Sequence, residues 1–428
     1  MKVLVVGGGG REHALCWALR RDFPEAILFA APGNPGTASC ATNLPIAVTA
    51  IDALVDAVSR HGIDVTVIGP EAPLALGLGD RLRAARCAVF GPTQLSARLE
   101  SSKAFAKDVM RAAGVPTAAS ETFTALDPAL AYIDGQGEPL VVKASGLAAG
   151  KGVVVCATRA DAARAARAML AEGAFGSAGR EVVIEEFLEG EELSVLALVD
   201  GDQFTVLPPA QDHKRLLEGD RGPNTGGMGA YCPVSLASPA LLARLRRDVF
   251  EPTLREIAAR GAPYQGVLYA GLMISPAGTP FVLEFNCRFG DPETQALFPV
   301  LPSRVTRDVV SIAAGQWRAP AEDVAATQAS VTTVLAAAGY PEEPHTGTPI
   351  TVPPDLGSDI LVFHAGTAHA ESGGLRVAGG RVFAVTAVAP TVAQAAARSA
   401  AACARIEFAG KQFRRDIGWR EIARARTP

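Results

Sequence analysis

Two lysines enclose a glycine-rich segment in the first half of the chain. Small residues between Lys143 and Lys151 would let backbone N–H groups approach phosphate oxygens, and the lysines would neutralise the charge. The segment is not a P-loop, which would need a glycine at 145 and a hydroxyl residue at 152. A flexible turn with solvated lysines is the alternative interpretation. The predicted phosphate-binding residues are Lys143, Ser145, Gly146, Gly150, Lys151 and Gly152.

Polar residues alternate along the segment 284–288. Alternate residues of a strand share one face, so Glu284 and Asn286 would point the same way. Their oxygens suit Mg²⁺, which typically combines one or two carboxylates with nucleotide phosphates. Arg288 lies on the same side if the strand continues, where it would clamp a transferring phosphoryl group. A solvated strand end is the alternative interpretation.

Two further glycine-rich loops are candidates for ligand contact. The run 7–10 follows an apolar segment and precedes a helical one, a context that favours anion binding by backbone N–H groups. It fails the dinucleotide fingerprint because position 12 is Glu12, and a purely steric tight turn is the alternative. Arg11 adds a side chain that pairs with phosphate. The loop 222–229, preceded by 211–214, is interpreted as a lid or substrate loop, or as a mobile loop without a role.

The elements that position these residues fall into several domains. Apolar runs at 3–6, 27–30 and 65–68 alternate with helical stretches at 11–21 and 51–61, which predicts a doubly wound parallel α/β domain over 1–101. Ligands on such sheets bind at the loops that follow the strands. A central unit is predicted over 102–320, with a small subdomain at about 118–190 and an antiparallel unit after it. Short strands and an alanine-rich helix predict a small C-terminal α+β domain over 327–428.

Composition excludes several classes of protein. With 428 residues and a net charge of -4, the chain offers no general attraction for nucleic acid or anionic membranes. None of its seven cysteines forms a CxxC pair, which favours reduced, buried thiols. The first apolar run is too short for a signal peptide, and no stretch is long enough to span a membrane. We expect a cytoplasmic protein, as a monomer or weak homodimer.

Nine segments together resemble the phosphoribosylamine–glycine ligase family. They follow the family's order over nearly the whole chain: GGGREHA at 8–14, APGN at 31–34, GPEAPL at 69–74, GLAAGKGV at 146–153, EEFL at 185–188, QDHKR at 211–215, GPNTGGMGAY at 222–231, EFNCRFGDPET at 284–294 and FHAGT at 363–367. The resemblance implies an N-terminal α/β domain, an ATP-grasp pair of subdomains and a C-terminal domain. It also implies a purine-biosynthesis enzyme that converts ATP, glycine and 5-phosphoribosylamine into glycinamide ribonucleotide, ADP and phosphate.

The resemblance carries residue roles with it. Lys143 and Arg288 would be catalytic, and Glu284 and Asn286 would hold Mg²⁺ or Mn²⁺. ATP would be bound by the glycine-rich loop together with Lys103, Lys143, Glu185, Glu186, Phe187, Leu188 and Glu192. The substrates would be bound by Gly10, Arg11, Glu12, Glu71, Lys214, Asn224, Thr225, Gly226, Gly227 and Asp291.

Departures and alternatives accompany this interpretation. Ser145 stands where the family commonly has aspartate, and Gly8 where it often has asparagine or serine. The alternatives are another ATP-grasp carboxylate–amine ligase or carboxylase, a non-catalytic nucleotide-sensing protein and, from the first glycine loop, a dehydrogenase. No nucleophilic side chain is predicted. The ligase interpretation requires Lys143 and Glu284 to face each other across a single cleft.

Overall fold

A computed structural model describes residues 1–148, 152–371 and 373–426. The chain begins with a five-stranded parallel sheet whose central strands are completely buried apolar runs. In spatial order its strands are Thr42–Asn43, Ile27–Pro32, Lys2–Gly7, Val65–Ile68 and Ala88–Phe90. Its helices are Gly10–Asp22, Ile51–His61, Glu71–Ala75 and Leu78–Ala84, with a 3-10 turn at Thr37–Ser39. The predicted doubly wound α/β domain is therefore confirmed.

Two helices lead from this sheet towards the centre of the molecule, Arg98–Ser101 and Lys103–Ala113. Ser102 begins the second helix, because its hydroxyl accepts a hydrogen bond from the Phe105 N–H. Gly114 ends it with a φ of 69°, a left-handed conformation that glycine adopts readily. The helix therefore has a defined start and stop beside the strand that follows it.

A small subdomain comes next and has its own hydrophobic core, formed by residues between 129 and 184. Its antiparallel sheet has the order Ser120–Phe123, Val182–Glu186, Leu140–Ala144 and Val153–Cys156. Its helices are Leu126–Asp134 and Arg159–Leu170, with a 3-10 turn at Gly176–Gly179. The pairing of Lys143 with Val153 confirms the predicted hairpin around the glycine-rich loop.

The larger antiparallel sheet of the central unit has the strand Pro280–Asn286 at its edge. This strand carries the predicted metal ligands Glu284 and Asn286, and we call it the metal strand. Its order is Gln203–Val206, Glu191–Asp200, Gln265–Ile274 and Pro280–Asn286. The helices of this unit are Pro239–Leu245, Glu251–Ala259, Glu293–Leu297 and Arg304–Ala313, with a π turn at Arg246–Phe250 and a 3-10 turn at Phe298–Val300. A two-stranded ribbon pairs Arg215–Leu217 with Arg221–Asn224.

The C-terminal sheet takes strands from both sides of position 320. Its order is Gln211–Asp212, Gly229–Cys232, Ala329–Ala336, Arg381–Ala389 and Ile360–His364. A three-stranded sheet, Pro349–Ile350, Leu375–Val377 and Thr367–His369, and the helices Val392–Arg405 and Trp419–Arg424 complete the unit. Because one sheet crosses the predicted boundary, the ranges 102–320 and 327–428 remain predictions.

Two observations concern the chain as a whole. All seven cysteines are free thiols, and five of them are buried. Within the described ranges, no helix is both long and apolar enough to cross a membrane.

Candidate active site

A cleft opens between the small subdomain and the edge strand Pro280–Asn286. Its walls include residues of the helix Lys103–Ala113, of the strand Val182–Glu186 and of the edge strand itself. The Lys143 ammonium donates a hydrogen bond to the Leu283 carbonyl at 3.2 Å. Lys143 thus reaches the neighbour of Glu284, whose side chain lines the cleft.

A lysine cluster occupies the inner wall of the cleft. Glu185 contacts the Lys143 ammonium at 2.8 Å and the Lys107 ammonium at 3.1 Å, and all three side chains are less than a tenth exposed. Lys103 lies nearby and donates a hydrogen bond to the Gly146 carbonyl at 3.3 Å. Burial lowers the pKa of Lys103, although Glu284 opposes the shift. The cluster concentrates positive charge where a polyphosphate would enter.

Glu284 lies among cations. Burial alone would raise its pKa, but Lys214, Lys143, Lys103 and Arg288 lower it below its ordinary value. The nearby cations therefore favour the ionised form of the Glu284 carboxylate.

Asn286 shares the strand with Glu284 and is 7% exposed. Its amide oxygen accepts a hydrogen bond from the Arg288 guanidinium at 2.9 Å, which leaves one lone pair for another partner. In the described part of the chain, no three His, Cys, Asp or Glu side chains are grouped to hold a metal ion. One carboxylate and one amide oxygen fit a divalent cation that takes its other ligands from phosphates and water.

Arg288 is held by two carboxylates. Its guanidinium contacts Glu100 at 2.9 Å and Glu71 at 3.5 Å. Burial alone would lower the pKa of Arg288, but the charges of Glu100 and Glu71 outweigh burial and raise the pKa above its ordinary value. Arg288 is therefore a fixed cation on the side of the cleft that faces the N-terminal domain.

A second ion pair joins the strand Glu191–Asp200 to the segment that follows Gln211–Asp212. Lys214 contacts Glu192 at 2.6 Å. Burial alone would lower the pKa of Lys214, but Glu192, Asp212 and Glu284 raise it well above its ordinary value. Burial raises the pKa of Asp212 to about 8, and nearby carboxylates contribute to the shift. The sequence prediction included Glu192 and Lys214 but not Asp212.

The N-terminal glycine loop packs onto the segment that follows the metal strand. Arg11 donates hydrogen bonds to Glu12 at 2.6 Å and to the Phe289 carbonyl at 3.0 Å. The other Glu12 oxygen accepts a hydrogen bond from the Gly9 N–H at 2.7 Å, so Glu12 holds the backbone of the N-terminal glycine loop in place. A Cβ at Gly10 would lie 2.6 Å from the Gln295 side chain, so this position requires glycine for close approach.

The loop 224–227 meets the same segment from the other side. The Thr225 hydroxyl donates to the Lys214 carbonyl at 2.8 Å and accepts from the Gly227 N–H at 3.0 Å. Gly227 has a φ of 105°, and a Cβ there would lie 2.5 Å from Pro292. Arg381 of the C-terminal sheet joins this loop to Asp291, because it donates to the carbonyls of Gly226 and Asp291. Asn224 ends the ribbon strand that leads into the loop.

The remaining predicted ATP residues differ in their exposure to solvent. Glu186 and Phe187 are exposed and Leu188 is half-buried, in the segment that leaves the small sheet. Ser145 is 2% exposed, and its hydroxyl accepts from the Ala104 N–H at 3.1 Å. Gly146 follows Ser145, and the Gly152 carbonyl accepts a hydrogen bond from the Ala144 N–H at 2.8 Å, whereas Gly150 and Lys151 lie outside the described residues.

Four residues of this site escaped the sequence prediction: Glu100, Lys107, Asp212 and Arg381. Glu100 and Lys107 flank the predicted Lys103, but a charged residue near a helix start is usually solvated. Asp212 directly precedes the 213–214 pair, and its burial between strands is not visible in the local pattern. Arg381 lies far along the chain, and only the assembled C-terminal sheet brings it to Asp291.

Profiles of one family cover most of the chain. The N domain of phosphoribosylglycinamide synthetase matches residues 1–100, its ATP-grasp (A) domain matches 101–294, and its C domain matches 330–420.

Named relatives agree over the full length. A phosphoribosylamine–glycine ligase of Xanthomonas campestris is 47% identical, and the match covers 100% of this chain and 99% of that protein. A protein of the same name from Salmonella typhimurium is 46% identical, with 99% of both chains covered. A solved phosphoribosylamine–glycine ligase of Thermotoga maritima is 35% identical with a TM-score of 0.86, covering 97% of this chain and 100% of that one.

Solved biotin carboxylases share the fold at lower identity. The enzyme of Campylobacter jejuni superposes with a TM-score of 0.75 at 16% identity, over 96% of this chain and 92% of that one. At this identity the likeness establishes the architecture alone.

Proposed function

The chain belongs to the phosphoribosylglycinamide synthetase family, and on that premise we propose that it joins glycine to 5-phosphoribosylamine with ATP, in purine biosynthesis. The products are glycinamide ribonucleotide, ADP and phosphate. One observation supports this activity most directly: the positive charges of Lys103, Lys143, Lys214 and Arg288 all act on the Glu284 carboxylate, which lines the cleft. This charge arrangement suits a nucleotide triphosphate and a carboxylate substrate.

The first step activates the carboxylate of glycine. A glycine oxygen attacks the γ-phosphorus of ATP, the bond to the β-phosphate oxygen breaks, and ADP leaves. Lys143 and Arg288 reduce repulsion between the two anions and stabilise the charge shared in the transition state. Because Arg288 is already fixed by Glu100 and Glu71, little reorganisation is needed when charge develops.

The second step forms the amide. The amine of 5-phosphoribosylamine attacks the carbonyl of glycyl phosphate, the carbon–oxygen bond to phosphate breaks, and the amine loses a proton. No protein nucleophile is required, since the phosphate is a good leaving group. Cys287, on the metal strand's continuation, remains a thiol because burial strongly raises its pKa. The chain's contribution is positioning, charge neutralisation and exclusion of water.

A divalent cation completes the proposed site, with Glu284 and Asn286 as its protein ligands. When bound, the cation would neutralise phosphate charge. We infer Mg²⁺ rather than Mn²⁺, because both ligands are hard oxygens and the protein supplies few of them.

The small subdomain is the proposed lid. It has its own hydrophobic core, and the segment Glu186–Leu188 connects it to the large sheet, so closure over ATP would leave both cores intact. Lys103, Lys143, Ser145, Gly146, Gly152, Glu185 and Glu192 would contact ATP from the walls, with Gly150 and Lys151 on the glycine-rich loop. The substrates would bind between this cleft and Gly10, Arg11, Glu71, Lys214, Asn224, Gly227 and Asp291.

A coupled assay for ADP tests the proposal. ADP release should require both glycine and 5-phosphoribosylamine, and Glu284→Gln should abolish it without unfolding the chain. Glu25→Gln, at an exposed position of the N-terminal domain, is the matched control and should retain full turnover. Release of ADP without dependence on either substrate, or near-normal turnover of Glu284→Gln, would refute the proposal.

We propose a monomer or weak homodimer. Sedimentation velocity at micromolar concentration should give a mass close to the 44.2 kDa of the chain. A stable larger assembly would contradict this.

A further inference from the structure

Three lysines line or flank the cleft, but their ammonium groups are not equally available. An ammonium has three N–H donors. Within the described residues, Lys103 contacts one acceptor, the Gly146 carbonyl. Lys143 contacts two, the Leu283 carbonyl and Glu185. Both can therefore still donate to a phosphate oxygen.

Lys107 has no such spare donor. It donates to the Thr117 hydroxyl at 2.8 Å and to the Ala118 carbonyl at 3.1 Å, and it contacts Glu185 Oε1 at 3.1 Å. Its side chain is 4% exposed although it lines the cleft. Lys107 is thus a buried cation with three protein oxygens around its ammonium, two that accept hydrogen bonds and one that forms an ion pair.

Glu185 depends on this cation. Its Oε1 atom is buried and makes no hydrogen bond in the described part of the chain, so the Lys107 ammonium is what neutralises it. A buried carboxylate without a compensating partner is strongly unfavourable. The other oxygen, Oε2, contacts the Lys143 ammonium at 2.8 Å.

We propose that Lys107 is a positioning residue for ATP: it holds one oxygen of Glu185, so that the other orients Lys143 towards the nucleotide phosphates. Thr117 and Ala118 anchor Lys107 where the chain enters the small subdomain, and the Thr117 hydroxyl also donates to the Val282 carbonyl at 2.6 Å. Through Thr117, the position of Lys107, and with it that of Lys143, is therefore tied to the metal strand. This inference rests on the proposed ATP-dependent ligation.

Without Lys107, Lys143 would be the one cation in contact with Glu185 among the residues that the structure describes. Lys143 would then be drawn towards Glu185 and away from the phosphates. Lys107→Met, which keeps the length of the side chain, should weaken ATP binding about tenfold or more. The KM for glycine should stay within about twofold, because no contact of Lys107 leads to the Arg288 side of the cleft.

A double-mutant cycle separates positioning from a merely structural role. ATP affinity is measured by calorimetry on the full chain for Lys107→Met, Glu185→Gln and the double variant. If Lys107 acts through Glu185, the double variant should bind ATP no more weakly than the poorer single variant. Multiplying losses, or an unchanged affinity in Lys107→Met, would overturn the inference.

Thr117→Val provides a milder variant should Lys107→Met fail to fold. It removes one anchor of Lys107 and should weaken ATP binding about two- to threefold in the wild-type background. Its effect on ATP binding should be smaller in a Glu185→Gln background, where Lys107 can no longer act through Glu185, and an equal effect in both backgrounds would overturn the inference. ADP release by the wild-type chain is measured separately. If it does not depend on both substrates, the proposed function fails, whatever the ATP affinities of the variants are.

Discussion

The Glu100 carboxylate contacts the Arg288 guanidinium at 2.9 Å, and its second oxygen accepts a hydrogen bond from the Cys287 N–H at 2.8 Å. One buried side chain thus fixes both the backbone and the cation at the end of the metal strand. Glu100→Gln keeps an acceptor for Cys287 but removes the charge opposite Arg288. We expect the free energy of unfolding to fall by about 3 kcal/mol, the low end for a broken buried pair, because Glu71 remains. Urea denaturation measures the change.

An exposed ion pair supplies the control for this measurement. Arg81 and Asp52 are 2.7 Å apart, but their side chains are 55% and 83% exposed. Asp52→Asn should change stability by less than about 1 kcal/mol. A Glu100→Gln variant no less stable than Asp52→Asn would contradict the role given to Glu100.

A buried histidine at the junction of the N- and C-terminal domains predicts loss of stability in acid. Burial, with a smaller contribution from His364, lowers the pKa of His13 to about 3. His13 Nδ1 accepts a hydrogen bond from the His364 N–H at 2.9 Å, which requires an unprotonated nitrogen. In the unfolded chain His13 binds a proton as the pH falls through 6.5, whereas in the folded chain it stays neutral down to about pH 3. The free energy of unfolding therefore falls as the pH drops below 6.5. Between pH 8 and pH 5 the loss from His13 should be about 2 kcal/mol.

His13→Gln tests this linkage, because glutamine offers an acceptor without titrating in this range. The variant should be less stable than wild type at pH 8 but should lose about 2 kcal/mol less on acidification to pH 5. Thermal or urea unfolding across this range measures both quantities. Parallel pH profiles for the two proteins would exclude His13 as the source.

Local patterns predicted the elements that are locally determined. The apolar runs at 3–6 and 65–68 became buried strands because the parallel sheet is covered on both faces. Glu284 and Asn286 lie on one strand, as predicted, and therefore share a face, because the two-residue period of a strand is set by its own backbone. The hairpin around the glycine-rich loop followed from two short apolar runs with a turn between them.

Long-range partners were not predictable from such patterns. Glu100 and Arg288 are distant in sequence, and Lys107 becomes significant only when the strand carrying Glu185 packs beside its helix. The C-terminal sheet recruits Gly229–Cys232, a strand whose glycine-rich flank resembled a loop. In each case tertiary packing, rather than the local pattern, decides which residues contact each other.

Ser145 lies at the start of the glycine-rich loop, and the structure shows what its hydroxyl does. It accepts from the Ala104 N–H at 3.1 Å, at the start of the helix Lys103–Ala113. Ser145→Ala should therefore destabilise the chain by about 1 kcal/mol, as the loss of a helix cap does. Ser145→Asp should preserve the contact, because a carboxylate is favourable at a helix N-terminus. Equal stability of Ser145→Ala and wild type in urea would contradict this role.

Arg381 links the C-terminal sheet to the proposed substrate site. It donates to the Asp291 carbonyl at 2.8 Å and contacts the Asp291 carboxylate at 3.3 Å. Burial alone would raise the pKa of Asp291, but Arg381 and Arg11 hold it below its ordinary value. Arg381→Met would release both Asp291 and the Gly226 carbonyl, so the loop 224–227 would no longer be tied to the segment around Asp291.

The consequence should be selective for one substrate. We expect kcat/KM for 5-phosphoribosylamine to fall about tenfold or more, while the affinity for ATP, whose lysines lie on other elements, changes by less than about twofold. Arg398→Met removes an exposed arginine that pairs with Asp359 on the same domain, and it should leave both parameters unchanged. Steady-state kinetics with each substrate varied in turn make the comparison. If Arg381→Met weakened ATP and 5-phosphoribosylamine equally, Arg381 would be a general structural residue, since only its placement beside Asp291 predicts a selective loss.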